Sequence, residues 1–250
     1  MKSACRMSFI VCASLFSAQD PLWKRILKWP EAEQVAFVES FLADRIKKPF
    51  IVDRKTGEIE HDERNGALST LMMNNGDPFI PLFEARIRSE MNSHTPESDE
   101  IIFTAAACII TAGTERALES IERVFRDDKV RLKRFAPIAL SSGFSQDGPR
   151  TVLKWYKGLE SSNQDLREAA IAMVQDYYGK EYVGANFLEA LAEAMSVRYG
   201  HVPVEADFKS DPIISAIEGR NMTVAYETRR KVSELSVQMR RKREQEAKKK

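Results

Sequence analysis

The sequence predicts an all-α protein of antiparallel helices, with one small β-hairpin near residues 50–61 and a long basic helix at the C-terminus. Three observations lead to this fold class. Apolar residues recur three and four positions apart through most of the chain, which is the period of an amphipathic helix. Short polar breaks containing Gly, Asn or Ser interrupt that period from about residue 62 onward. Residues 221–247 contain neither Pro nor Gly and can form one continuous helix.

The composition is that of a folded soluble protein. The chain has 250 residues, of which 43% are hydrophobic and 30% are charged. These values exclude a disordered chain, a collagen-like chain and a multi-span membrane protein. The formal net charge of +1 creates no overall field that selects nucleic acid or membrane as a partner.

Individual helices are predicted from the apolar period together with Pro and Gly punctuation. The first stripe covers 22–29 and ends at Pro30, and the second covers 31–47 and ends before Pro49. Between them and the later helices, the hairpin turns at Lys55-Thr56-Gly57, where Gly57 is expected to have a positive φ. Further helices are predicted over 63–74, 78–91, 99–112, 114–126, 129–142, 149–160, 164–178 and 182–199. Residues 201–210 lose the period and are interpreted as a partly extended connector.

The N-terminus has the pattern of a signal peptide over residues 1–18. Lys2 and Arg6 precede an apolar run over 7–16, which leads into Ser17 and Ala18. A run of this length is shorter than the ~20 residues of a membrane-spanning helix. The alternative is a first helix that packs its apolar side on the domain. With the leader removed, we expect a periplasmic or secreted protein with a helical domain over 19–210 and a C-terminal helical region over 211–250 that carries the basic tail.

Cleavage at Ala18 removes two of the three cysteines and leaves Cys108, so the mature chain can form no intramolecular disulfide. Cys108 lies in an apolar run of small residues and is expected to be a buried small hydrophobe.

Charge is strongly polarised along the chain. Residues 229–250 have a net charge of +7, whereas residues 19–228 have a net charge of about −8. The tail is therefore where an anionic partner would bind first. The candidate contacts are Arg229, Arg230, Lys231, Arg240, Arg241, Lys242 and Arg243. An anionic membrane surface, nucleic acid and an acidic protein face would all be attracted, and a solvated terminal helix without a partner is the alternative.

Three segments resemble the helix openings of HEAT-type repeats: Asp77–Phe83, Gly113–Ile121 and Asn163–Ile171. We expect Asp or Asn to cap each helix N-terminus and small Ala residues to permit close helix contacts. The resemblance covers about residues 62–200 and departs from the family because no strict period is kept. It implies helical pairs stacked into a curved solenoid, and another all-α packing remains open.

Catalytic and metal-binding patterns are missing from the sequence. His61, His94 and His201 are far apart, and no pair of cysteines has zinc-ligand spacing. The Gly-x-Gly-x-x-Gly fingerprint is also missing, and Pro149 stands where a phosphate-binding loop starting at Gly143 would need lysine. We therefore predict no catalytic activity, no cofactor and no metal.

The function predicted from these observations is a non-enzymatic interaction scaffold or binding module of the cell envelope, with a protein partner and no transmembrane span. The tail can add contact with an anionic membrane surface, and export would make nucleic acid a poor partner. The alternative is an intracellular helical adaptor whose basic tail binds nucleic acid or an acidic partner. A carboxylate-based enzyme is a third class. The aromatic residues Trp155, Tyr156 and Tyr178 are interpreted as core, and the alternative is that some of them line a concave groove of the solenoid.

Overall fold

The structure of the protein is a computed structural model. It describes residues 20–44, 51–52, 59–60, 63–93, 95–143, 147–178 and 185–248. Helix dominates these residues, so the predicted all-α class is confirmed. The helices are α1 (Leu22–Arg25), α2 (Glu31–Asp44), α3 (Glu63–Asn75), α4 (Ile80–Glu90), α5 (Pro96–Thr111), α6 (Glu115–Val124), α7 (Lys129–Ser141), α8 (Gly148–Leu159), α9 (Gln164–Tyr178), α10 (Ala185–Tyr199), α11 (Glu205–Ser210), α12 (Pro212–Glu218) and α13 (Met222–Ala247). Short 3₁₀ turns follow α1 at Ile26–Lys28 and precede α4 at Asp77–Phe79.

The predicted hairpin over 50–61 is not supported. Ile51–Val52 (β1) pairs antiparallel with Ile59–Glu60 (β2) over two residue pairs, which is too short to establish a hairpin over 50–61. The predicted turn, including Gly57, lies outside the described residues. The predicted signal peptide over 1–18 also lies outside them.

Helices α3 to α10 form two layers. Helices α3, α5, α7 and α9 contact one another in sequence, and α4, α6, α8 and α10 do the same. Each helix from α4 to α8 contacts both the next helix and the one after it. Contacts restricted to near neighbours are compatible with an α-solenoid.

Two contacts show the relative direction of α5 and α7. Arg131 on α7 forms an ion pair with Asp99 on α5. One turn further along both helices, the rings of Phe135 and Phe103 have centroids 5.7 Å apart. The register advances in the same direction on each helix, so α5 and α7 run parallel, as alternate helices of a stack of helical hairpins do.

Side-chain caps define most helix starts. The Thr114 hydroxyl accepts from the Ala117 amide at 3.1 Å, and Asn163 Oδ1 accepts from the Leu166 amide at 3.2 Å. These are two of the three openings on which the repeat resemblance rests. At the third, Gly76 occupies the cap position, and Asp77 Oδ1 instead accepts from the Thr114 hydroxyl at 2.5 Å.

Small residues set the closest approach between helices. A Cβ added to Gly158 on α8 would lie 2.8 Å from Ala170 Cβ on α9. The glycines of two neighbouring loops also meet, because a Cβ on Gly113 would lie 3.5 Å from Gly143 Cα. Both loop glycines have a positive φ, so a side chain at either position would strain the backbone.

The prediction of a partly extended connector over 201–210 is wrong for residues 205–210, because these residues form α11. The amide of Val204 donates to Asp207 Oδ2 at 2.8 Å and closes the first turn. Phe208 is the buried residue of this helix, and a six-residue helix with one core contact has no apolar period to detect. The first helix is also shorter than predicted, because α1 ends at Arg25 and continues as a 3₁₀ turn.

Candidate binding surface on the C-terminal helix

Helix α13 is anchored to the body by one side. Asn221 Oδ1 caps its start by accepting from the Thr223 amide at 3.0 Å and the Val224 amide at 3.2 Å. The helix then packs against α10 and α12. Its buried residues recur at helical spacing along this side: Val224, Ala225, Thr228, Val232 and Ser236. From Arg240 to Lys248 every residue is exposed.

Four of the seven predicted anion contacts are held by acidic residues of this chain. Arg229 forms an ion pair with Glu218, and Arg243 reaches Glu193 on α10 at 3.0 Å. The other two pairs lie within the helix. They are Arg230 with Glu234 at 3.2 Å and Arg240 with Glu244 at 2.8 Å. These four cations are therefore partly neutralised where they stand.

The remaining three, Lys231, Arg241 and Lys242, form no ion pair within the part of the chain that the structure describes. Lys231 and Lys242 are eleven positions apart, close to three helical turns, so they project in nearly the same direction about 16 Å apart along the axis. Arg241 is their exposed neighbour on the last of these turns. Lys231 and Lys242 thus place unpaired positive charge on one side of α13, and Arg241 projects about 100° away from Lys242 around the helix axis.

A cavity of about 410 Å³ lies where α11 meets α13. Its lining is mixed, with Val204, Phe208 and Tyr226 beside Arg229 and Arg230. Tyr226 is 67% exposed and Val204 is 53% exposed, so this wall of the cavity offers apolar surface to solvent. A surface that combines charged side chains with exposed apolar area is typical of a protein–protein interface.

A second cavity of about 390 Å³ lies between the end of α10 and the later turns of α13. It is lined by Ser196, Gly200, His201, Val202, Ser236, Met239, Arg240, Arg243 and Glu244. Both of its guanidinium groups are engaged by carboxylates, Arg240 by Glu244 and Arg243 by Glu193. The net charge at this cavity is therefore small.

The start of the C-terminal region is fixed by a buried carboxylate. Asp211 is fully buried, and its Oδ1 accepts from the amides of Ile213 and Ile214, each at 2.9 Å. Its Oδ2 accepts from the hydroxyls of Tyr156 and Tyr199, each at 2.8 Å. Burial, together with the adjacent Asp211 charge, raises the pKa of Tyr199 to about 12. Four donors satisfy the carboxylate, so the cluster joins α8, α10 and α12.

The sequence does not reveal this cluster. Asp211-Pro212 is a recognisable helix start, and the structure confirms it as the cap of α12. The partner Tyr156 is 55 residues away, and nothing in its local sequence distinguishes it from an ordinary core residue.

A second polar group that sequence reasoning missed is Lys154, which is fully buried. Its Nζ donates to the carbonyls of Ala139 and Ser142 at 2.9 and 2.6 Å, and to the Ser142 hydroxyl at 2.9 Å. Burial lowers the pKa of Lys154 to about 7. Trp155 Nε1 caps the same helix end by donating to the Leu140 carbonyl at 2.9 Å. Lys154 therefore caps the C-terminus of α7, because its amino group donates to the Ala139 carbonyl and to the C-cap residue Ser142.

The aromatic residues lie where the sequence places them. Trp155, Tyr156 and Tyr178 are buried, which confirms their interpretation as core. Cys108 is half-buried and packs against the core, and burial raises the pKa of its thiol to about 12. The thiol therefore has the unreactive character expected of a small hydrophobe.

Among the residues that the structure describes, no group of three or more His, Cys, Asp and Glu side chains is arranged to hold a metal ion. His61 and His94 lie outside those residues. His201 is exposed, with Nδ1 2.9 Å from the Val202 carbonyl oxygen. Within the same residues, no helix combines the length and the apolar character needed to cross a membrane.

Comparison with known protein families, with curated proteins and with solved structures gives no match for this chain. The proposed function therefore rests on the fold and on the surfaces described above.

Proposed function

We propose that the protein is a non-enzymatic scaffold of the cell envelope, built as a HEAT-like solenoid, that binds an acidic protein partner through α13. The observation that carries this proposal is that Lys231, Arg241 and Lys242 have no ion pair to a described residue, whereas the other four cations of α13 are paired. An unpaired cation on a docked helix attracts a complementary acidic surface and fixes its orientation.

The anchoring of α13 favours a protein partner over a membrane surface. A helix that lies in a membrane interface buries an apolar face in the lipid. In α13 Val224 and Val232 are buried on the side that packs against α10 and α12, and the exposed large apolar residues of the helix are Met222, Tyr226 and Val237. The exposed side retains charge and the apolar wall around Tyr226, which suits a protein surface.

The number of unpaired cations favours protein over nucleic acid. Proteins that bind duplex DNA through its backbone commonly make about 6–10 phosphate contacts. Helix α13 has three cations without an ion pair to the described residues, and the exported location proposed here would separate the protein from nucleic acid.

Binding to defined anions tests the proposal. The full chain is titrated with poly-L-glutamate, with vesicles containing phosphatidylglycerol and with a 30-base-pair DNA duplex, at low and moderate salt. We expect poly-L-glutamate to bind most tightly. The triple variant K231E/R241E/K242E should lose at least tenfold in affinity. The matched control R116E/R126E/K28E reverses three exposed cations elsewhere and should retain it. A preference for DNA or vesicles, or equal losses in both variants, would overturn the proposal.

The envelope location rests on the predicted leader and has its own test. N-terminal sequencing of the natively expressed protein, after cell fractionation, should give a start at Gln19 outside the cytoplasm. A start at Met1 in the cytosol would contradict this part of the proposal and favour the intracellular adaptor.

A further inference from the structure

A second exposed apolar surface lies on the layer formed by α5 and α7, away from α13. Phe103 on α5 is 39% exposed, and Val130 and Ile138 on α7 are 81% and 47% exposed. Val130, Arg134 and Ile138 are spaced four residues apart and share one side of α7. The Arg134 guanidinium lies 4.7 Å from the centroid of the Phe103 ring, which connects the two helices. We call these four residues the Phe103 patch.

Phe103 also lines an apolar cavity of about 180 Å³ between α2, α3 and α5. Buried Phe41 and Leu68 line it together with Phe103, Ala107 and Cys108. Sites for small-molecule ligands commonly enclose about 300–1,000 Å³. This cavity is smaller and suits one bulky apolar side chain, the kind of anchor on which protein interfaces depend.

Helix α7, which contacts Phe103 through Arg134, is strongly basic. Helix α7 carries Lys129, Arg131, Lys133 and Arg134 and no acidic residue. Arg131 is paired with Asp99 and Asp128, and Lys133 lies 3.4 Å from Asp165. Lys129 and Arg134 are left without an ion pair to any described residue. Arg134 therefore offers an unneutralised guanidinium on the Phe103 ring, which also lines the cavity.

We infer that the Phe103 patch and its cavity bind a short acidic segment of a partner protein, which inserts one Leu-like or Phe-like side chain and places a carboxylate on Arg134. Phe103 forms both the cavity wall and the platform for Arg134, so the anchor and the carboxylate are close together. In an extended segment, residues i and i+2 are roughly 7 Å apart and point to the same side. The fitting motif is an apolar residue with Asp or Glu two positions away.

This surface is independent of the proposed function of α13, because α13 packs on α10 and α12. The tail variant K231E/R241E/K242E should therefore bind such a segment as the wild type does. If the peptide does not bind the Phe103 patch, the α13 proposal is unaffected. If the α13 proposal fails, the inference about the Phe103 patch is likewise unaffected.

The test uses two synthetic peptides, acetyl-Gly-Leu-Gly-Glu-Gly-amide and the same peptide with Lys in place of Glu. Binding to the full chain is followed by the NMR shifts of α5 and α7 amides. We expect the Glu peptide to bind at least tenfold more tightly than the Lys peptide. The variant R134E should reverse this preference, and the matched variant R116E should not change it.

A variant that fills the cavity tests whether binding requires the apolar anchor in addition to charge attraction. The variant A107W places an indole in the cavity and should abolish binding of the Glu peptide. Because an indole at half-buried Ala107 can disturb packing, S69W provides a second variant at the exposed rim. A far-UV circular dichroism spectrum like that of the wild type confirms folding in each case. Retained binding in both variants would overturn the inference.

Two other occupants are distinguished by the same variants. Binding to phosphatidylglycerol vesicles that falls in R134E and persists in A107W would identify a membrane surface. A concentration-dependent dimer that A107W dissociates would identify a second copy of the chain. Either result would overturn the assignment to an acidic partner segment.

Discussion

The Tyr156 hydroxyl on α8 donates to Asp211 Oδ2 at 2.8 Å, joining positions 55 residues apart in sequence. Because Asp211 also caps α12, this one bond connects the stack of helices to the region that carries α13. The Arg198 guanidinium lies 4.4 Å from the centroid of the Tyr156 ring and pairs with Glu160, which covers the cluster on its outer side. The candidate binding helix is thus positioned by a buried polar cluster as well as by its own apolar stripe.

Replacing the buried carboxylate should destabilise the protein strongly. Asp211→Ala removes the cap of α12 and leaves the Tyr156 and Tyr199 hydroxyls without their acceptor. A lost cap costs about 1 kcal/mol, and each stranded buried hydroxyl costs about 1–3 kcal/mol. We expect urea unfolding to show a loss of about 3–7 kcal/mol.

The matched variant is Tyr199→Phe, which removes one donor and leaves the cap and the Tyr156 bond in place. Its expected cost is about 1 kcal/mol. If Asp211→Ala costs no more than Tyr199→Phe, the cluster does not hold the C-terminal region as described.

Lys154 should make the free energy of unfolding depend on pH. Its pKa is about 7 in the folded protein, whereas an unperturbed lysine has a pKa of about 10.4. Between these values the unfolded chain binds a proton that the folded chain does not, so the free energy of unfolding rises with pH. The slope is about 1.4 kcal/mol per pH unit.

The variant Lys154→Met lacks this titration, and groups common to both proteins cancel in the difference. Urea unfolding at pH 7, 8.5 and 10 should show the wild type gaining stability relative to Lys154→Met as the pH rises. Parallel pH profiles of the two proteins would show that Lys154 keeps an ordinary pKa in its buried position.

Two glycine substitutions should have opposite signs. Gly158→Ala on α8 places a Cβ 2.8 Å from Ala170 Cβ, and overpacking of this kind costs about 1–3 kcal/mol. Gly66→Ala on α3 meets nothing within 4 Å, so the better helix propensity of Ala should stabilise the protein by about 0.5–1 kcal/mol. Thermal unfolding of the two variants measures both effects. Stabilisation by both would mean that α8 and α9 are further apart than described.

The basic residues of α13 should differ in their effect on folding stability, because some are paired with carboxylates and others are not. Arg229 has 23% of its side chain exposed and pairs with Glu218, so Arg229→Ala should cost about 1 kcal/mol of folding stability. Arg241 is exposed, and Arg241→Ala should change the free energy of unfolding by no more than about 0.5 kcal/mol. Equal effects in urea unfolding would contradict the division of the predicted contacts into paired and unpaired cations.

The sequence predicts the helices well where capping residues and the apolar period agree. The predicted helix over 164–178 coincides with α9, whose start is capped by Asn163. From α3 to α8, predicted and observed ends differ by at most three residues. Helix α11 is missed because its local hydrogen bond from the Val204 amide to Asp207 leaves no periodic signature.

The binding surface is predicted only in part, because its charge depends on tertiary neighbours. The basic tail is visible in the sequence, yet Arg243 is paired by Glu193, which is 50 residues away on α10. That neutralisation requires the packing of α10 on α13. Lys154 is missed for a related reason, since lysine is almost never fully buried without a partner and its sequence context gives no sign of burial.

The most direct test of α13 as the binding surface is photo-crosslinking from this helix in the native cell. A photoreactive residue at exposed Gln238, one turn from Arg241 and Lys242, is compared with the same residue at exposed position 116. We expect a covalent adduct with an acidic protein from position 238 only, and its loss in K231E/R241E/K242E. An adduct with nucleic acid, or no difference between the two positions, would contradict the assignment of α13 as the binding surface.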